Sequence, residues 1–81
     1  MYEIIFSETA RNDIIKLNKP SKEKLISVLE RLYINPSRYV KRVIGDNSYK
    51  LRFGVYKIIL EINKDTISIL KVIKGKDVKN V

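Results

Sequence analysis

Apolar and polar side chains alternate at the start of the chain. Tyr2, Ile4 and Phe6 recur at every second position, which is the spacing of a strand with one face on a core. Ser7 then supplies an N-cap oxygen, and apolar residues follow at helical spacing. The pattern predicts one strand and then a short first helix, from about Glu8 to Leu17.

A longer apolar stripe follows a short polar link. Asn18-Lys19-Pro20-Ser21 provides capping and helix-breaking side chains, and the helix after it ends at Asn35, because the residue before Pro36 is pushed out of the helical region. Two helices joined by so short a link predict an antiparallel αα-hairpin. The stripe on the second helix consists of Leu25, Val28, Leu29, Leu32 and Tyr33.

The second half of the chain shows the period of strands, interrupted by turn residues. Residues 37–47 form a basic connecting segment with a turn at Gly45-Asp46-Asn47 and room for a short strand from Tyr39 to Ile44. A further turn at Asn63-Lys64-Asp65 precedes a last strand, Thr66 to Ile73. This strand is apolar on both faces over much of its length, as a central strand would be.

Gly54 sets the register of a tight hairpin between these turns. A glycine at the first central position of a two-residue loop suits a type II′ turn, so Phe53 should pair with Tyr56 and Arg52 with Lys57. Three cations then share the outer face of the hairpin, namely Lys50, Arg52 and Lys57. The core-facing side carries Tyr49, Leu51, Phe53, Tyr56, Ile58 and Leu60.

The order of elements predicts an α+β fold: an N-terminal strand, the αα-hairpin, and an antiparallel meander of three to four strands packed on the helices. At 81 residues the chain is predicted to be a single domain, residues 1–81, whose small core favours stabilisation by a partner.

The lack of cysteine in the sequence excludes disulfides and thiolate chemistry. No apolar run approaches the roughly 20 residues needed to span a bilayer, and the apolar start, Met1 to Phe6, is too short for the core of a signal peptide. We therefore expect a cytoplasmic protein without membrane attachment.

Charge narrows the class of partner. Lys and Arg number 17 against 9 Asp and Glu, a net charge of +8, which predicts attraction to polyanions. Nucleic acid is the first candidate, although an acidic protein or an anionic membrane surface would satisfy the same charge.

The cations of the hairpin are the first candidates for chemistry. Like charges opposite each other destabilise a sheet, and Arg52 is predicted to face Lys57 with Lys50 beside them, an arrangement that suits a phosphate backbone. The alternative is an ordinary solvated face. The absence of histidine and of clustered carboxylates predicts no metal and no cofactor, so RNA cleavage would depend on cations. A lysine crowded by other cations is a better general base.

Further cations are candidate RNA-binding residues: Arg38, Lys41, Arg42, Lys71, Lys74 and Lys76. For Lys76 and Lys79 the favoured interpretation is a terminus that only adds solubility. Among the tyrosines, Tyr2, Tyr33, Tyr49 and Tyr56 are predicted to pack on the core. Tyr39, flanked by cations, could stack on a base, but a half-buried place beneath the sheet is favoured.

The element order resembles that of the RelE-like toxins in the RelE/ParE superfamily, over nearly the whole chain. Its most specific parts are the helix end Leu32 to Pro36, the turn Ile44-Gly45, and Tyr49-Lys50-Leu51-Arg52 leading into Gly54-Val55-Tyr56-Lys57. The resemblance implies the toxin of a type II toxin–antitoxin system. Such a toxin is a ribosome-dependent endoribonuclease that cuts mRNA by 2′-hydroxyl attack without metal, and a RelB-like antitoxin neutralises it.

The resemblance also implies roles for single residues. It places Lys50 and Arg52 on the strand that orders the RNA and supplies the base, and Lys57 where an arginine commonly binds the scissile phosphate. The C-terminal end departs from the pattern, because Gly75 stands at the place of an expected arginine and no tyrosine follows. Loss of one such donor would lower the rate about a hundredfold or more, unless Lys74 or Lys76 compensates.

Two other functions remain open at this point. A ParE-like toxin with the same fold would act on DNA gyrase and cleave nothing, which suits the missing arginine and tyrosine. A non-enzymatic nucleic-acid-binding module would use the basic face only to hold phosphates.

Overall fold

The computed structural model describes residues 2–43, 45 and 47–74. Two helices and five strands, with one 3-10 turn between them, make up an α+β fold of the predicted order. The elements are β1 (Glu3–Phe6), α1 (Glu8–Ile15), α2 (Lys19–Ile34), the 3-10 turn (Pro36–Arg38), β2 (Lys41–Arg42), β3 (Tyr49–Phe53), β4 (Tyr56–Asn63) and β5 (Thr66–Lys74). No helix in the described ranges is long and apolar enough to cross a membrane.

The strands form one sheet in the order β1-β5-β4-β3-β2. Strands β2 to β5 are the predicted antiparallel meander. Strand β1 joins it in parallel with β5, from Glu3 opposite Thr66 to Phe6 opposite Ile69. This pairing was not predicted, because partners more than sixty positions apart leave no local signal in a single sequence. It makes β5 an inner strand, as its apolar character indicated.

Capping side chains set the starts of both helices. The Ser7 hydroxyl accepts a hydrogen bond from the Ala10 amide at 3.0 Å, and Asn18 Oδ1 accepts one from the Ser21 amide at 2.9 Å. Pro20 therefore lies in the first turn of α2, where its missing N–H costs nothing, and does not act as a breaker. Helix α1 is shorter than predicted, because the amides of Lys16 and Leu17 bond three residues back and tighten its end.

The core lies between the helices and one face of the sheet. Leu32, Ile58, Leu60, Ile67 and Ile69 are wholly buried in it. Tyr2, Tyr49 and Tyr56 pack against the core as predicted. The prediction for Tyr33 was wrong: the residue is 42% exposed, because it lies about 100° around the helix from Leu32, at the edge of the stripe.

The hairpin has the predicted register. Phe53 pairs with Tyr56 and Arg52 with Lys57, and Gly54 has a φ of +57°, which a glycine adopts without strain. Val55 lies outside the positive-φ region, which agrees with a type II′ and not a type I′ turn. The core-facing and outward-facing sets of side chains are therefore those that the sequence predicted.

The connecting segment differs from the prediction. A 3-10 turn, which was not predicted, opens it and buries Pro36 in the core. Strand β2 covers only Lys41–Arg42 and is shorter than the predicted strand from Tyr39 to Ile44. Gly45 takes a φ of +79°, as a turn glycine does, while Ile44 and Asp46 lie outside the described residues.

Candidate nucleic-acid interface

The outer face of the sheet brings cations from four strands together. Lys41 on β2 lies opposite Lys50 on β3, and Arg52 lies opposite Lys57 on β4. Lys50 and Lys71 both flank Ile59, from either side. Since directly opposite residues point to the same face, these five cations share one surface. We call Lys41, Lys50, Arg52, Lys57 and Lys71 the basic face.

Lys71 reaches the basic face because of a β-bulge. Leu60 pairs with Ile69 but Ile59 pairs with Lys71, so Leu70 is an extra residue in β5. Ile69 is buried on the core side, and strict alternation would place Lys71 on that side too. The bulge shifts the alternation by one position. It sends Lys71 outward and returns Val72 to the core.

Two side chains from the α1 region hold the bulged segment. Strand β1 ends at Phe6, so the backbone of β5 beyond Ile69 has no strand on that edge. The Ser7 hydroxyl donates to the Leu70 carbonyl at 2.6 Å, and the Asp13 carboxylate accepts from the Val72 amide at 2.9 Å. These bonds flank Lys71 on both sides and replace the missing strand partner.

A pocket of about 420 Å³ opens at the centre of the basic face. It is lined by Tyr39, Lys41, Lys50, Leu51, Arg52 and Lys57. No carboxylate in the described part of the chain forms an ion pair with Lys41, Lys50, Arg52 or Lys57. The positive charge of the pocket is therefore available to an anionic ligand.

Lys57 is electrostatically distinct within this pocket. Partial burial lowers the pKa of its ammonium group below the ordinary 10.5, and the charges of Lys50 and then Arg52 lower it further. All three causes disfavour the protonated form. Lys57 is thus a better proton acceptor than an isolated surface lysine, whereas the family resemblance had implied a phosphate-binding role for it.

Other predicted RNA-binding cations lie elsewhere. Arg42 pairs with Tyr49 and so points to the opposite side of the sheet, where its guanidinium lies 5.9 Å from the Tyr49 ring centroid. Lys74 pairs with Tyr56 and likewise faces away from Lys71. Arg38 is exposed at the end of the 3-10 turn. Lys76 and Gly75 lie outside the described residues.

Tyr39 is the residue that the sequence analysis placed least well. The favoured place beneath the sheet was wrong, since Tyr39 is 40% exposed and lines the pocket of the basic face. The 3-10 turn causes this, because burying Pro36 leaves the chain three residues later at the sheet surface. The cations that flank Tyr39 in the sequence were the signal for this position.

Comparison with known proteins assigns the fold and the family. A sequence model of the ParE toxin of type II toxin–antitoxin systems matches residues 4–78. The chain belongs to the ParE toxin family. Among curated proteins no sequence matches this toxin.

Solved structures extend the comparison to RelE toxins. The ParE-family chain is similar to a chain of the intact Escherichia coli RelBE toxin–antitoxin complex, with a TM-score of 0.80, 21% identity, and coverage of 91% of this chain and 96% of that one. The Mycobacterium tuberculosis RelBE2 toxin–antitoxin complex matches with a TM-score of 0.72, 30% identity, and coverage of 90% and 96%. Isolated E. coli RelE matches with a TM-score of 0.76 and 20% identity, and the match covers 99% of this chain and 98% of that one. The fold is therefore that of RelE/ParE toxins, as the sequence resemblance implied.

Asp13 of this ParE-family toxin should be needed to hold the bulged segment of β5. Replacing Asp13 with Ala leaves the Val72 amide without its acceptor, and we expect unfolding in urea to show a loss of about 1–3 kcal/mol. Asp13→Asn keeps an acceptor oxygen and should lose less. Amide exchange at Val72 should accelerate in the Ala variant. Equal stability of the wild type and both variants would contradict a holding role.

Proposed function

We propose that this toxin is a ribosome-dependent endoribonuclease that cuts mRNA on its basic face. The observation that carries the proposal is the convergence, in one pocket, of Lys50, Arg52 and Lys57, with the pKa of Lys57 lowered. A phosphodiester needs both a cationic environment and a proton acceptor to be cleaved without metal. The pocket offers both among side chains that one hairpin positions.

The chemistry follows from the charges of the three side chains. Neutral Lys57 takes the proton of a ribose 2′-hydroxyl, and the 2′-oxygen attacks the adjacent phosphorus. The bond from phosphorus to the 5′-oxygen breaks, that oxygen takes a proton from water, and a 2′,3′-cyclic phosphate remains. Lys50 and Arg52 stay cationic and stabilise the charge that develops on the phosphoryl oxygens. Arginine also offers paired N–H donors that match two of those oxygens.

The remaining cations suit binding and not chemistry. Lys41 lines the pocket, and Lys71 extends the basic face beyond it on β5. Arg38 is exposed at the end of the 3-10 turn. With a net charge of +8, these residues favour association with ribosomal RNA as well as with the message. We expect the toxin to act in the cytoplasm.

A second candidate function is inhibition of DNA gyrase without cleavage. The match to the ParE toxin family favours it, as does glycine at position 75, where an arginine is expected in a RelE-like nuclease. In that case the basic face would contact gyrase or its DNA. A purely phosphate-holding module would use the same face without either target.

A RelB-like antitoxin is the proposed partner that neutralises this toxin. Similar chains were crystallised in RelBE toxin–antitoxin complexes, and the chain presents an apolar groove of about 550 Å³ at the edge of α2. Ile26 is 56% and Ile34 72% exposed there, beside Ile4 and Leu29. Exposed apolar area of this kind marks a protein contact. We propose that the antitoxin covers this groove.

Cleavage is tested by primer-extension mapping of a message translated by ribosomes in the presence of the toxin. We expect cuts that require ribosomes and that Lys57→Ala abolishes, while Lys50→Ala and Arg52→Ala lower the rate about a hundredfold or more, the usual effect of losing one charge-stabilising donor. Arg42→Ala is the matched control, because Arg42 points away from the basic face. An intact message at saturating toxin would overturn the nuclease proposal, and gyrase-linked DNA breaks would then support the second candidate.

The pH dependence of cleavage identifies the base. Since Lys57 must be neutral to accept a proton, the rate should rise with pH, with a midpoint below the ordinary lysine value of 10.5. Lys50→Gln removes one charge that lowers the pKa of Lys57, so its rising limb should move to higher pH. Single-turnover rates, measured where the ribosome stays intact, check this. A rising limb that Lys50→Gln leaves unmoved would argue against Lys57 as the base.

The groove is tested by binding to a RelB-like antitoxin. Ile34→Asp places a charge in a contact that complex formation would bury, and we expect affinity to fall at least tenfold. Ile15→Asp is the matched control, because Ile15 is 70% exposed at the end of α1 and does not line the groove. Calorimetry of both variants measures the difference. Equal affinities would exclude the groove as the antitoxin site.

A further inference from the structure

We infer that Tyr39 is a base-stacking residue: its ring receives the nucleobase next to the phosphate that Lys50 and Arg52 hold. The inference rests on the proposed function and adds a ligand group to it, a base in addition to a phosphate. Nothing in the charge pattern of the hairpin requires such a contact. The inference follows from the position that the 3-10 turn gives to Tyr39.

The backbone around Tyr39 holds the ring at the pocket. Pro36 is wholly buried, and the Tyr39 amide donates to its carbonyl at 3.0 Å. Strand β2 begins at Lys41 and is paired to β3 through Lys50. The backbone of Tyr39 is therefore held between a buried anchor and a paired strand, so little backbone entropy is lost when a base packs on its ring.

The surroundings of Tyr39 differ from those of the other pocket-facing or sheet tyrosines. The Tyr49 ring is covered by the Arg42 guanidinium, and the Tyr56 ring stacks on Phe53 with centroids 5.5 Å apart. Tyr39 has no aromatic partner, no cation over its ring and no side-chain hydrogen bond within the described part of the chain. It is 40% exposed. Because Tyr39 also lines the pocket, its side chain is accessible to a ligand there.

The chemistry beside the ring selects the ligand. An open aromatic face among uncompensated cations suits a group that carries negative charge and a flat π-system together, and a nucleotide does so. Aromatic stacking accepts every base, because each has a π-face. Tyr39 should therefore add affinity with little discrimination between bases, apart from a modest preference for purines, which offer more area.

The test uses a short 2′-O-methyl oligoribonucleotide, which cannot supply the attacking hydroxyl, and the full chain. Fluorescence anisotropy gives the affinity for the intact oligonucleotide and for a set with one abasic site at each position in turn. The chains are wild type, Tyr39→Ala, Tyr39→Phe and Tyr33→Ala. Tyr33 is the matched control because it is equally exposed, at 42%, but lies on α2, on the helix-covered side of the sheet.

We expect Tyr39→Ala to weaken binding about 5- to 150-fold, the effect of losing one stacked base. Tyr39→Phe and Tyr33→Ala should bind like wild type. One abasic position should weaken wild type equally and should have no further effect in Tyr39→Ala, because the two changes remove the same contact. Thermal melts confirm that the variants are folded.

Two outcomes overturn the inference in different ways. If wild type binds and Lys50→Ala weakens it, but Tyr39→Ala does not, the stacking role is wrong and the proposed RNA site stands. If wild type does not bind the oligonucleotide, or if Lys50 and Arg52 can each be replaced by Ala without effect on binding, both the stacking role and the proposed RNA site fail.

Discussion

The structure depends on how β5 is held beyond the end of β1. Inner strands must have their backbone groups paired on both edges, and a buried group left unpaired costs about 1–3 kcal/mol. Strand β1 supplies partners only up to Ile69. From there Ser7 and Asp13 take over, binding the Leu70 carbonyl and the Val72 amide. Ser7 is also the N-cap of helix α1, and Asp13 lies within that helix. The same two side chains therefore connect the helix to the strand.

That fastening links the core to the candidate site. Ile67, Ile69 and Val72 enter the core from β5, and they can do so on either side of Leu70 only because the bulge shifts the alternation. The same shift turns Lys71 outward, beside the cations of the hairpin. The bulged segment of β5 therefore supplies apolar side chains to the core and also adds one cation, Lys71, to the basic face.

Repulsion between the cations of the basic face destabilises the fold, and a bound anion would reduce that repulsion. Lys41 faces Lys50 and Arg52 faces Lys57, pairs that destabilise a sheet when no counter-charge is present. Burial lowers the pKa of Lys57 most, and the charges of Lys50 and Arg52 lower it further, so part of the lowering reflects this repulsion. On the proposed function, a phosphate bound in the pocket would remove part of this repulsion and so stabilise the folded toxin.

The sequence by itself determined the features whose causes are local. Ser7 and Asn18 start the helices through bonds to amides three residues away, and Gly54 sets the hairpin register, which already assigns Lys50, Arg52 and Lys57 to one face. Only the tertiary structure decided the parallel pairing of β1, the bulge at Leu70 and the exposure of Tyr33 and Tyr39. Each of these depends on contacts between segments distant in the chain. A periodic pattern predicts which side chains share a face of a strand. Contacts with distant segments decide where a bulge shifts that alternation and which tyrosine side chain stays exposed.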